Sequence, residues 1–373
     1  MNILELVFSK AWGGLEIIFS IYSDKFRQQE HNVIAVIEPN QKMEQQLKKN
    51  DIKYILIKPF TKYLDILTAR KIKKLLNETR IDIIQVYQSK DLSTAILLKK
   101  FLKSGKIVFS QHMDSRHDKF DFFHKWIYKN LDQVVCATND MKKNHIDHTP
   151  ILPNKISVIH NGTDLNRFNL DINFNKKAFL REKQIPGNRL IIGTIGRLDR
   201  LKNQAILIEA AGKLTKRYKN KIHFIIVGDE TDSVTGRNYK NELIENINRN
   251  NLQNYFSFFE FSDEVEKYFS VLDIFILTTP KESFGLVLTE AMAMAKPIIA
   301  SNSGGPVEII QDGINGFLFE PNDVEDLISK LSNLISNENL RIDMGKKSKE
   351  IVKQKFDLNK KVQEYLVLFE RLQ

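Results

Sequence analysis

Two carboxylates eight positions apart, Glu282 and Glu290, frame the segment of this sequence that is best suited to chemistry. The apolar run 273–279 before them predicts a buried strand, and residues 285–294 predict a helix. Glu282 is therefore expected in the turn at the carboxyl end of a strand, where open α/β sheets bind ligands. Glu290, one or two turns into the helix, could accept hydrogen bonds from a vicinal diol such as a ribose. Alternatively, Glu282 only stabilises the helix N-terminus and Glu290 is solvated.

The start of that helix is a second expected ligand contact. Ser283 lies in the turn, and the backbone amides of Phe284, Gly285 and Leu286 begin the helix. Free amides at a helix N-terminus can bind a phosphate or a sugar oxygen.

Two cations occupy another predicted strand-to-helix loop. A β-rich strand over 189–196 is followed by Arg197 and Lys202, and then by an Ala/Leu/Ile-rich helix. A guanidinium fork and an ammonium point charge can together hold a diphosphate without a metal. The alternative is that both are surface cations near a helix start.

A glycine pair follows the first predicted strand, residues 2–8. Gly13 and Gly14 would let the backbone approach a phosphate closely at the start of an Ile/Phe-rich helix. The pair does not match the glycine fingerprint of dinucleotide-binding proteins.

Together these segments resemble the family 4 glycosyltransferases, retaining enzymes with two Rossmann-like domains in the GT-B architecture. The resemblance runs from the first strand to the last helix. The segments that carry it occur in the family's order: 159–164, 196–198 with Lys202, 282–285 with Glu290, 303–308 and 312–316.

The resemblance implies an α/β fold in which two parallel-sheet domains face a central cleft. The N-terminal acceptor-binding domain would cover 1–168, and the C-terminal nucleotide-sugar donor domain 185–356. A last helix within 357–373 would cross back to the first domain.

It also implies roles in the donor domain. Arg197 and Lys202 would hold the donor diphosphate and stabilise the leaving nucleotide. Glu282 would bind hydroxyls of the transferred sugar, beside the amides of 284–286, and Glu290 would bind the ribose.

In the first domain, Gly13 and Gly14 would close on the diphosphate. His112, which follows the predicted strand 106–109, resembles the family histidine that lies near the anomeric carbon. His117 and His124 stand close in sequence and compete for that role.

Two segments around the expected base pocket depart from the family pattern. They contain the expected donor contacts Gly228 and Phe261, but Glu230 and Glu260 stand where glycines are common. The base is therefore the least constrained part of the donor, with a UDP-sugar expected over a GDP-sugar.

No metal or other cofactor is expected, because fixed cations and amides can stabilise a departing diphosphate. The acids at 229–232 and 323–326 are predicted to be loop or helix-start acids, and His145 and His148 are expected in a solvated polar loop. No carboxylate has a clear claim as a nucleophile. The resemblance implies that the acceptor attacks the same face of the sugar from which the phosphate leaves, and that the leaving phosphate helps to deprotonate the acceptor.

The length of 373 residues fits two domains. A lone cysteine, Cys136, excludes an intramolecular disulfide framework and agrees with a reducing compartment. Neither a signal peptide nor a run of membrane-spanning length is predicted. We expect a cytoplasmic protein, peripheral at the inner face of the cell membrane.

Positive charge is concentrated in the first half. Residues 1–180 hold 29 Lys/Arg against 19 Asp/Glu, and 42–106 hold 16 against 6, whereas the remainder after 180 is balanced. Such a field favours anionic partners, here a membrane surface met by a group of basic side chains. That group is Lys62, Arg70, Lys71, Lys73 and Lys74. The aromatic and basic segment 119–129 fits either an interfacial helix or a core helix.

The leading hypothesis is therefore a retaining hexosyltransferase that acts on a lipid-linked or cell-envelope glycan, such as a lipopolysaccharide core. A nucleotide-sugar epimerase or hydrolase of the same fold and a non-catalytic nucleotide-sugar binder are the alternatives. Nucleic acid is not expected as a partner, since no recognisable reading module is present.

Overall fold

The computed structural model describes residues 1–112, 117–169 and 174–373, which divide into two compact units. The first consists of Met1–Gly162 and Asn359–Gln373, and the second of Thr163–Leu358. Residues 163–168, placed in the first domain by the sequence interpretation, lie here in the second unit. Thr163 donates its amide to the Phe356 carbonyl at 2.8 Å and forms a parallel bridge with Asp357, which ties it to that unit.

The first unit is an alternation of strands and helices. Its strands are β1 (Asn2–Val7), β2 (Asn32–Ile37), β3 (Lys53–Leu56), β4 (Ile83–Val86), β5 (Lys106–Gln111), β6 (Gln133–Cys136) and β7 (Ile156–Val158). Its helices are α1 (Gly14–Gln28), α2 (Gln41–Lys49), α3 (Ile66–Leu76), α4 (Leu92–Leu102), α5 (Phe122–Asn130) and α6 (Asn139–His148).

These strands form one parallel sheet in the order β3-β2-β1-β4-β5-β6-β7. The order reverses between β1 and β4, so the carboxyl ends of these two strands flank a crevice of the kind that binds ligands. The strands predicted over 2–8 and 106–109 are observed as β1 and β5. The three-residue strand β7 was missed because its run is too short to show a period.

Local sequence signals determine where several helices begin. Asn40, Asp65 and Thr138 each accept a hydrogen bond from the backbone amide three residues later and so cap α2, α3 and α6. Each is a polar residue of the type that satisfies an otherwise unpaired amide at a helix N-terminus.

The second unit begins with a short helix. Its helices are α7 (Lys176–Glu182), α8 (Ala205–Tyr218), α9 (Tyr239–Arg249), α10 (Val265–Val271), α11 (Leu286–Ala293), α12 (Pro306–Ile309), α13 (Val324–Ser336) and α14 (Glu338–Lys355). Its strands are β8 (Leu190–Ile195), β9 (Ile222–Val227), β10 (Phe256–Phe259), β11 (Ile274–Leu277), β12 (Ile298–Ser301) and β13 (Gly316–Phe319).

The second sheet is also parallel, in the order β10-β9-β8-β11-β12-β13. Its switch point lies between β8 and β11, the two strands whose following loops carry the predicted site residues. The predicted fold class, α/β with two Rossmann-like parallel sheets, is confirmed.

The last helix, α15 (Leu358–Leu372), matches the helix predicted over 358–372 and belongs to the first unit from Asn359 onward. Its Tyr365 ring meets Tyr22 edge-on at 5.1 Å, and Phe369 packs on Phe26 at 5.5 Å. These buried aromatic contacts attach the end of the chain to helix α1.

The prediction of a solvated loop around His145 is wrong. His145 lies on α6, is buried, and meets Phe109 and Tyr128 edge-on. Met141 and His145 are one helical turn apart on the buried face, where the imidazole packs like an aromatic ring. Its neighbour His148 is half-exposed and hydrogen-bonds Asp118 at 2.6 Å.

Glu5 is a buried carboxyl in the middle of β1. It accepts hydrogen bonds from Ser23 and from the Tyr87 hydroxyl, the latter at 2.8 Å. Burial raises the pKa of Glu5 to about 7, although both hydrogen bonds oppose the shift. Because this pKa exceeds its unfolded value, the stability contributed by protonated Glu5 is lost as pH rises through 7.

We predict that Glu5→Gln will stabilise the protein relative to wild type at pH 8.5 and have little effect at pH 4.5, the unfolded pKa of the carboxyl. Glutamine can still accept from Tyr87 and avoids ionisation, which costs the wild type about 3 kcal/mol at high pH. Urea unfolding at the two pH values measures the difference, with the exposed Glu78→Gln as control. A Glu5→Gln protein less stable than wild type at pH 8.5 would contradict the assignment.

Candidate active site

An ion pair joins the two loops that leave the switch-point strands of the second unit. The Lys202 ammonium donates to the Glu282 carboxylate at 2.6 Å, and both side chains are largely shielded from solvent. The structure thus brings together two residues 80 positions apart that were predicted to share a site.

The backbone of Lys202 is fixed as firmly as its side chain. Its carbonyl accepts a hydrogen bond from the Thr278 hydroxyl at 2.8 Å, directly after β11. Its amide donates to the Asp199 carbonyl at 2.7 Å and closes a 3-10 turn over Arg200–Lys202. The ammonium is therefore preorganised before any ligand arrives.

Arg197 follows β8 and is exposed. Among residues 1–112, 117–169 and 174–373, no carboxylate forms an ion pair with its guanidinium. Its carbonyl accepts from the Gln204 side chain at 2.9 Å, which fixes the loop. Arg197 therefore presents a positive charge that has no ion pair among the described residues, although it acts electrostatically on the buried Asp199.

Asp199, between the two cations, is buried and holds the loop. Burial alone would raise its pKa, but the Leu201 amide and the hydroxyls of Thr235 and Ser233 lower it, with Arg197 adding to the effect. The ionised carboxylate therefore ties the loop after β8 to the loop after β9, independently of ligand.

Two glycines allow the Glu282 turn to take its shape. Gly304 has φ +66°, and a Cβ there would lie 2.3 Å from the Glu282 carbonyl oxygen. A Cβ on Gly305 would lie 2.4 Å from the Phe284 Cα atom, and the Gly305 amide donates to the Glu282 carbonyl at 2.9 Å. The loop after β12 therefore supports the turn through direct backbone contact.

Helix α11 begins directly after this turn. Gly285 caps it with φ +89°, a conformation that favours glycine, and Leu286 is its first residue. The Ser283 amide donates to the Glu282 carboxylate at 3.1 Å, and Phe284 is buried, 6.0 Å from the Phe356 ring. The predicted helix 285–294 and its starting turn are thus observed within one residue.

Glu290 lies in the second turn of α11. Burial raises its pKa to about 7; the charge of Arg167 opposes the shift and that of Glu266 reinforces it. Among the residues the structure describes, no hydrogen-bond donor meets the Glu290 carboxylate. This carboxylate has acceptor capacity that a ligand hydroxyl could fill.

Sequence reasoning missed Arg167 and Glu266 as neighbours of Glu290. Arg167 donates to the Asp263 carbonyl at 2.8 Å and lies 3.6 Å from the Glu266 carboxylate. No local periodicity marks Arg167, because it lies in an irregular segment far from α11 in sequence. Two hydroxyls were also missed: that of Thr279, two residues after β11, and that of Ser301, the last residue of β12. Both hydroxyls are buried without a hydrogen-bond partner among the described residues.

The residues of the two expected base-pocket segments make structural contacts within the second unit. Gly228 has φ +148°, and a Cβ there would lie 1.9 Å from the Gly196 carbonyl oxygen, so only glycine lets these loops meet. The half-exposed Phe261 donates its amide to Asp229 at 3.1 Å. Glu230, the departure from the family pattern, accepts the Lys240 amide of α9 at 2.7 Å. Contact of Gly228 and Phe261 with a donor remains a prediction.

In the first unit, the glycine pair begins α1 as predicted, but the Glu16 carboxylate already binds the Gly13 amide. The Gly13 amide donates to the Glu16 carboxylate at 2.9 Å, and Ser9 donates to the same group at 2.5 Å. A Cβ on Gly14 would meet nothing within 4 Å. A phosphate would therefore compete with Glu16 for the Gly13 amide.

His112 directly follows β5. Both of its ring nitrogens are buried and have no hydrogen bond of good geometry among the described residues, although the Asn161 side chain lies close to the ring. Burial lowers its pKa to about 4, with Asn161 opposing the shift. The ring stacks on Tyr87 at 5.8 Å and 17°, and Tyr87 is held by Glu5. The imidazole is neutral near pH 7, and each nitrogen can still take a partner.

The competing histidines differ from it. His117 is exposed, and His124 forms an ion pair with Asp121 at the start of α5. Their roles stay predictions, but among these three candidates only His112 combines buried ring nitrogens with unused hydrogen-bonding capacity.

No group of three or more metal-ligating side chains occurs within 1–112, 117–169 and 174–373. The acids considered as metal ligands have backbone partners: Asp323 caps α13, Asp326 accepts the Glu320 amide and Asp229 that of Phe261.

Two family models match this chain. Glycosyltransferase Family 4 matches residues 12–167, and Glycosyl transferases group 1 matches residues 175–351. The two together include every predicted site residue and every strand of the two sheets except β1. The chain belongs to the family 4 glycosyltransferases.

Individual relatives are of the same kind. The chain is 31% identical over 253 residues to the uncharacterized glycosyltransferase MJ1178 of Methanocaldococcus jannaschii, across 67% of this chain. It spans only 63% of the length of that relative. It is 27% identical over 303 residues to UDP-Gal:alpha-D-GlcNAc-diphosphoundecaprenol alpha-1,3-galactosyltransferase of Escherichia coli, across 78% of this chain and 75% of that protein.

Solved structures confirm the GT-B fold of this family 4 glycosyltransferase. Anabaena Alr3699/HepE in complex with UDP matches with a TM-score of 0.85 and 22% identity, over 100% of both chains. At this level of identity, the likeness shows the fold alone.

We predict that Gly305→Ala will lower the unfolding temperature and weaken nucleotide binding by this family 4 glycosyltransferase. The added methyl group collides with the backbone of the Glu282 turn and should cost about 2 kcal/mol. Thermal unfolding with and without nucleotide measures both effects. Gly212→Ala, where a Cβ meets nothing within 4 Å, is the control and should be neutral or stabilising. Wild-type behaviour of Gly305→Ala would show that the turn tolerates displacement.

Proposed function

We propose that the protein is a retaining hexosyltransferase that moves a sugar from a nucleotide diphosphate sugar to a lipid-linked or cell-envelope glycan. The observation that carries the proposal is the Lys202–Glu282 ion pair at the switch point of the second sheet, with the exposed Arg197 in the same loop as Lys202. In a family of glycosyltransferases, that arrangement suits a diphosphate leaving group and the sugar attached to it.

The chemistry follows from the charges. Breaking a glycosyl–phosphate bond leaves negative charge on the diphosphate and an oxocarbenium-like sugar. Arg197 can form a bidentate contact with phosphate oxygens, and Lys202 can add a point charge. Two fixed cations and the amides that begin α11 would supply the stabilisation without a metal.

Glu282 would then bind hydroxyls of the transferred sugar. Its carboxylate already accepts from Lys202 and from the Ser283 amide, and it retains lone pairs for a sugar hydroxyl. Neutral His112 would offer a hydrogen bond near the anomeric carbon, and Gly14 an amide to the diphosphate. With no carboxylate assigned as nucleophile, we propose a same-face reaction in which the leaving phosphate deprotonates the acceptor.

A UDP-sugar is the proposed donor. The Escherichia coli relative is named for UDP-Gal, and the Anabaena protein was solved with UDP and with UDP-glucose. Glu290 supports a ribose contact, because its carboxylate lacks a protein donor.

A lipid-linked acceptor is proposed on two grounds. The name of the Escherichia coli relative contains a diphosphoundecaprenol acceptor, and the first half of this chain has an excess of ten positive charges. An anionic membrane surface suits both, so we place the enzyme on the cytoplasmic face of a membrane. No helix of the described residues is long and apolar enough to cross a bilayer.

A panel of nucleotide sugars read by thermal shift tests the donor, followed by product analysis with and without a lipid-linked acceptor. A UDP-sugar should raise the unfolding temperature, and the α-anomeric product should appear only with acceptor. Free sugar in both reactions would favour an epimerase or hydrolase, and binding without turnover would favour a nucleotide-sugar binding protein.

We predict that Arg197→Ala and Lys202→Ala will each lower kcat by about 10²–10³-fold, because each removes a donor to the departing charge. Glu282→Ala should be nearly as damaging. Initial rates with saturating donor measure the loss, and circular dichroism checks the fold. Exposed Lys216→Ala is the matched control, and a chelator should leave every rate unchanged. Wild-type turnover of either variant would refute the role, and strong inhibition by chelator would reveal a metal.

Glu290 predicts a pH dependence of donor affinity. A ribose diol donates to the ionised carboxylate, which the free protein populates only above pH 7. We predict that UDP-glucose, whose diphosphate does not titrate here, binds about tenfold more tightly at pH 8 than at pH 6. Calorimetry should show a flat profile for Glu290→Gln and weaker binding at pH 8. The same slope in both proteins would place the titrating group elsewhere.

A further inference from the structure

Large apolar side chains protrude where the chain enters helix α3. Phe60 is 62% exposed, Leu67 55%, and Tyr63 and Leu64 48% each. We name these four residues the α3 platform. Monomeric proteins rarely group such side chains on a solvated surface unless the surface has a partner.

The exposure is built into the loop. Buried Asp65 accepts the amides of Phe60 and Thr61, at 2.7 and 3.0 Å, and caps α3 through Thr68. The Leu64 amide donates to Ser93 of α4 at 3.0 Å. A loop fastened at both ends by buried polar groups cannot fold its apolar side chains inward.

Leu64 carries additional strain. Its φ of +50° lies in the left-handed region, which disfavours a residue with a Cβ and a branched side chain. A leucine held there, half-exposed, gains little from packing.

An aromatic row extends the platform to α5. Tyr63 meets Phe123 edge-on at 5.8 Å, and Phe123 stacks on Trp126 at 5.9 Å. Phe122, one residue before Phe123, is 90% exposed. The other side of α5, with Ile127 and Tyr128, is buried, so this helix serves the core and the surface together.

Positive charge lies along the α3 platform, whereas the α5 end of the aromatic row carries the exposed Asp121 paired with His124. Residues 56–76 contain six Lys/Arg and one acid, the buried Asp65, so this segment exposes no negative side chain. Lys62 lies over the Tyr63 ring at 5.2 Å, and Lys100 over Trp126 at 5.6 Å. Farther along α3, Lys71 and Lys74 follow Leu67 on one exposed face.

We propose that the α3 platform inserts into the headgroup region of an anionic lipid bilayer, with the neighbouring cations on lipid phosphates. Apolar and aromatic tips with lysines beside them match an interface that is apolar below and negative above. An acidic protein would match the charge but not four protruding apolar side chains. The inference deepens the proposed membrane contact and rests on the proposed function only for its biological purpose.

Insertion is tested with Phe60→Ser/Leu64→Asn and vesicles of phosphatidylcholine with 30% phosphatidylglycerol. Asparagine tolerates the left-handed backbone, so the Leu64 substitution should not destabilise the fold. The matched control is Gln184→Asn/Ile342→Ser, since Gln184 has φ +54° and Ile342 is exposed elsewhere. Cosedimentation should show about tenfold weaker binding for the platform variant and no change for the control.

The charge component is tested with Lys71→Gln/Lys74→Gln. The control, Lys213→Gln/Lys216→Gln, has the same three-residue spacing on exposed positions of α8. At 0.05 M salt the α3 pair should lose about tenfold in affinity, and the loss should shrink at 0.5 M salt.

Several results would overturn the proposal. Among them are equal binding of wild type to neutral and anionic vesicles, unchanged binding of the platform variant, and equal losses in test and control proteins. A concentration-dependent dimer abolished by Phe60→Ser/Leu64→Asn would mean that a second copy covers the platform.

UDP affinity separates this inference from the proposed function. The platform variant should bind UDP as the wild type does. Vesicle binding that depends on the platform, in a protein without UDP affinity, would retain the surface and reject the glycosyltransferase assignment. UDP affinity without vesicle binding would reject the membrane surface and leave the proposed function standing.

Discussion

The Lys202–Glu282 ion pair is the contact on which the organisation of the second unit depends. It joins the loops after β8 and β11, the two strands between which the sheet order reverses. Partial shielding makes the attraction stronger than that of a surface pair, and it holds both side chains in single positions. Under the proposed function, a phosphate that reached Lys202 would meet a cation already in place, and little reorganisation would remain at the moment of bond breaking.

Backbone contacts too close for any Cβ bring these loops together. Gly228, which follows β9, lies against the Gly196 carbonyl. Gly304 and Gly305, which follow β12, lie against the Glu282 turn. Because these glycines have no Cβ, the backbones of neighbouring loops can approach closely and hold the charged side chains in place. The positions of the charged side chains therefore depend on the close packing of the loops that carry them.

Much of this was predictable because strand–turn–helix patterns are local. The runs around Glu282 and Arg197 showed both strands and both turns, and the family resemblance related them across 80 residues. Arg167 was unpredictable as a neighbour of Glu290, because its position depends on tertiary packing. For the same reason His145 was misplaced, and the outward direction of Leu64 could not be read from its sequence.

A raised pKa does not by itself identify a functional carboxyl in this protein. Glu5, Asp91 and Glu290 all have pKa values of about 7, each raised by burial. Glu5 has two hydroxyl donors and Asp91 accepts the Phe8 amide, so the fold itself uses these acceptors. Within the described part of the chain only Glu290 of the three has no donor. A half-buried carboxylate that no protein donor meets can gain free energy when a ligand supplies hydrogen bonds, and this difference makes Glu290, and not Glu5 or Asp91, the candidate ligand-binding carboxylate.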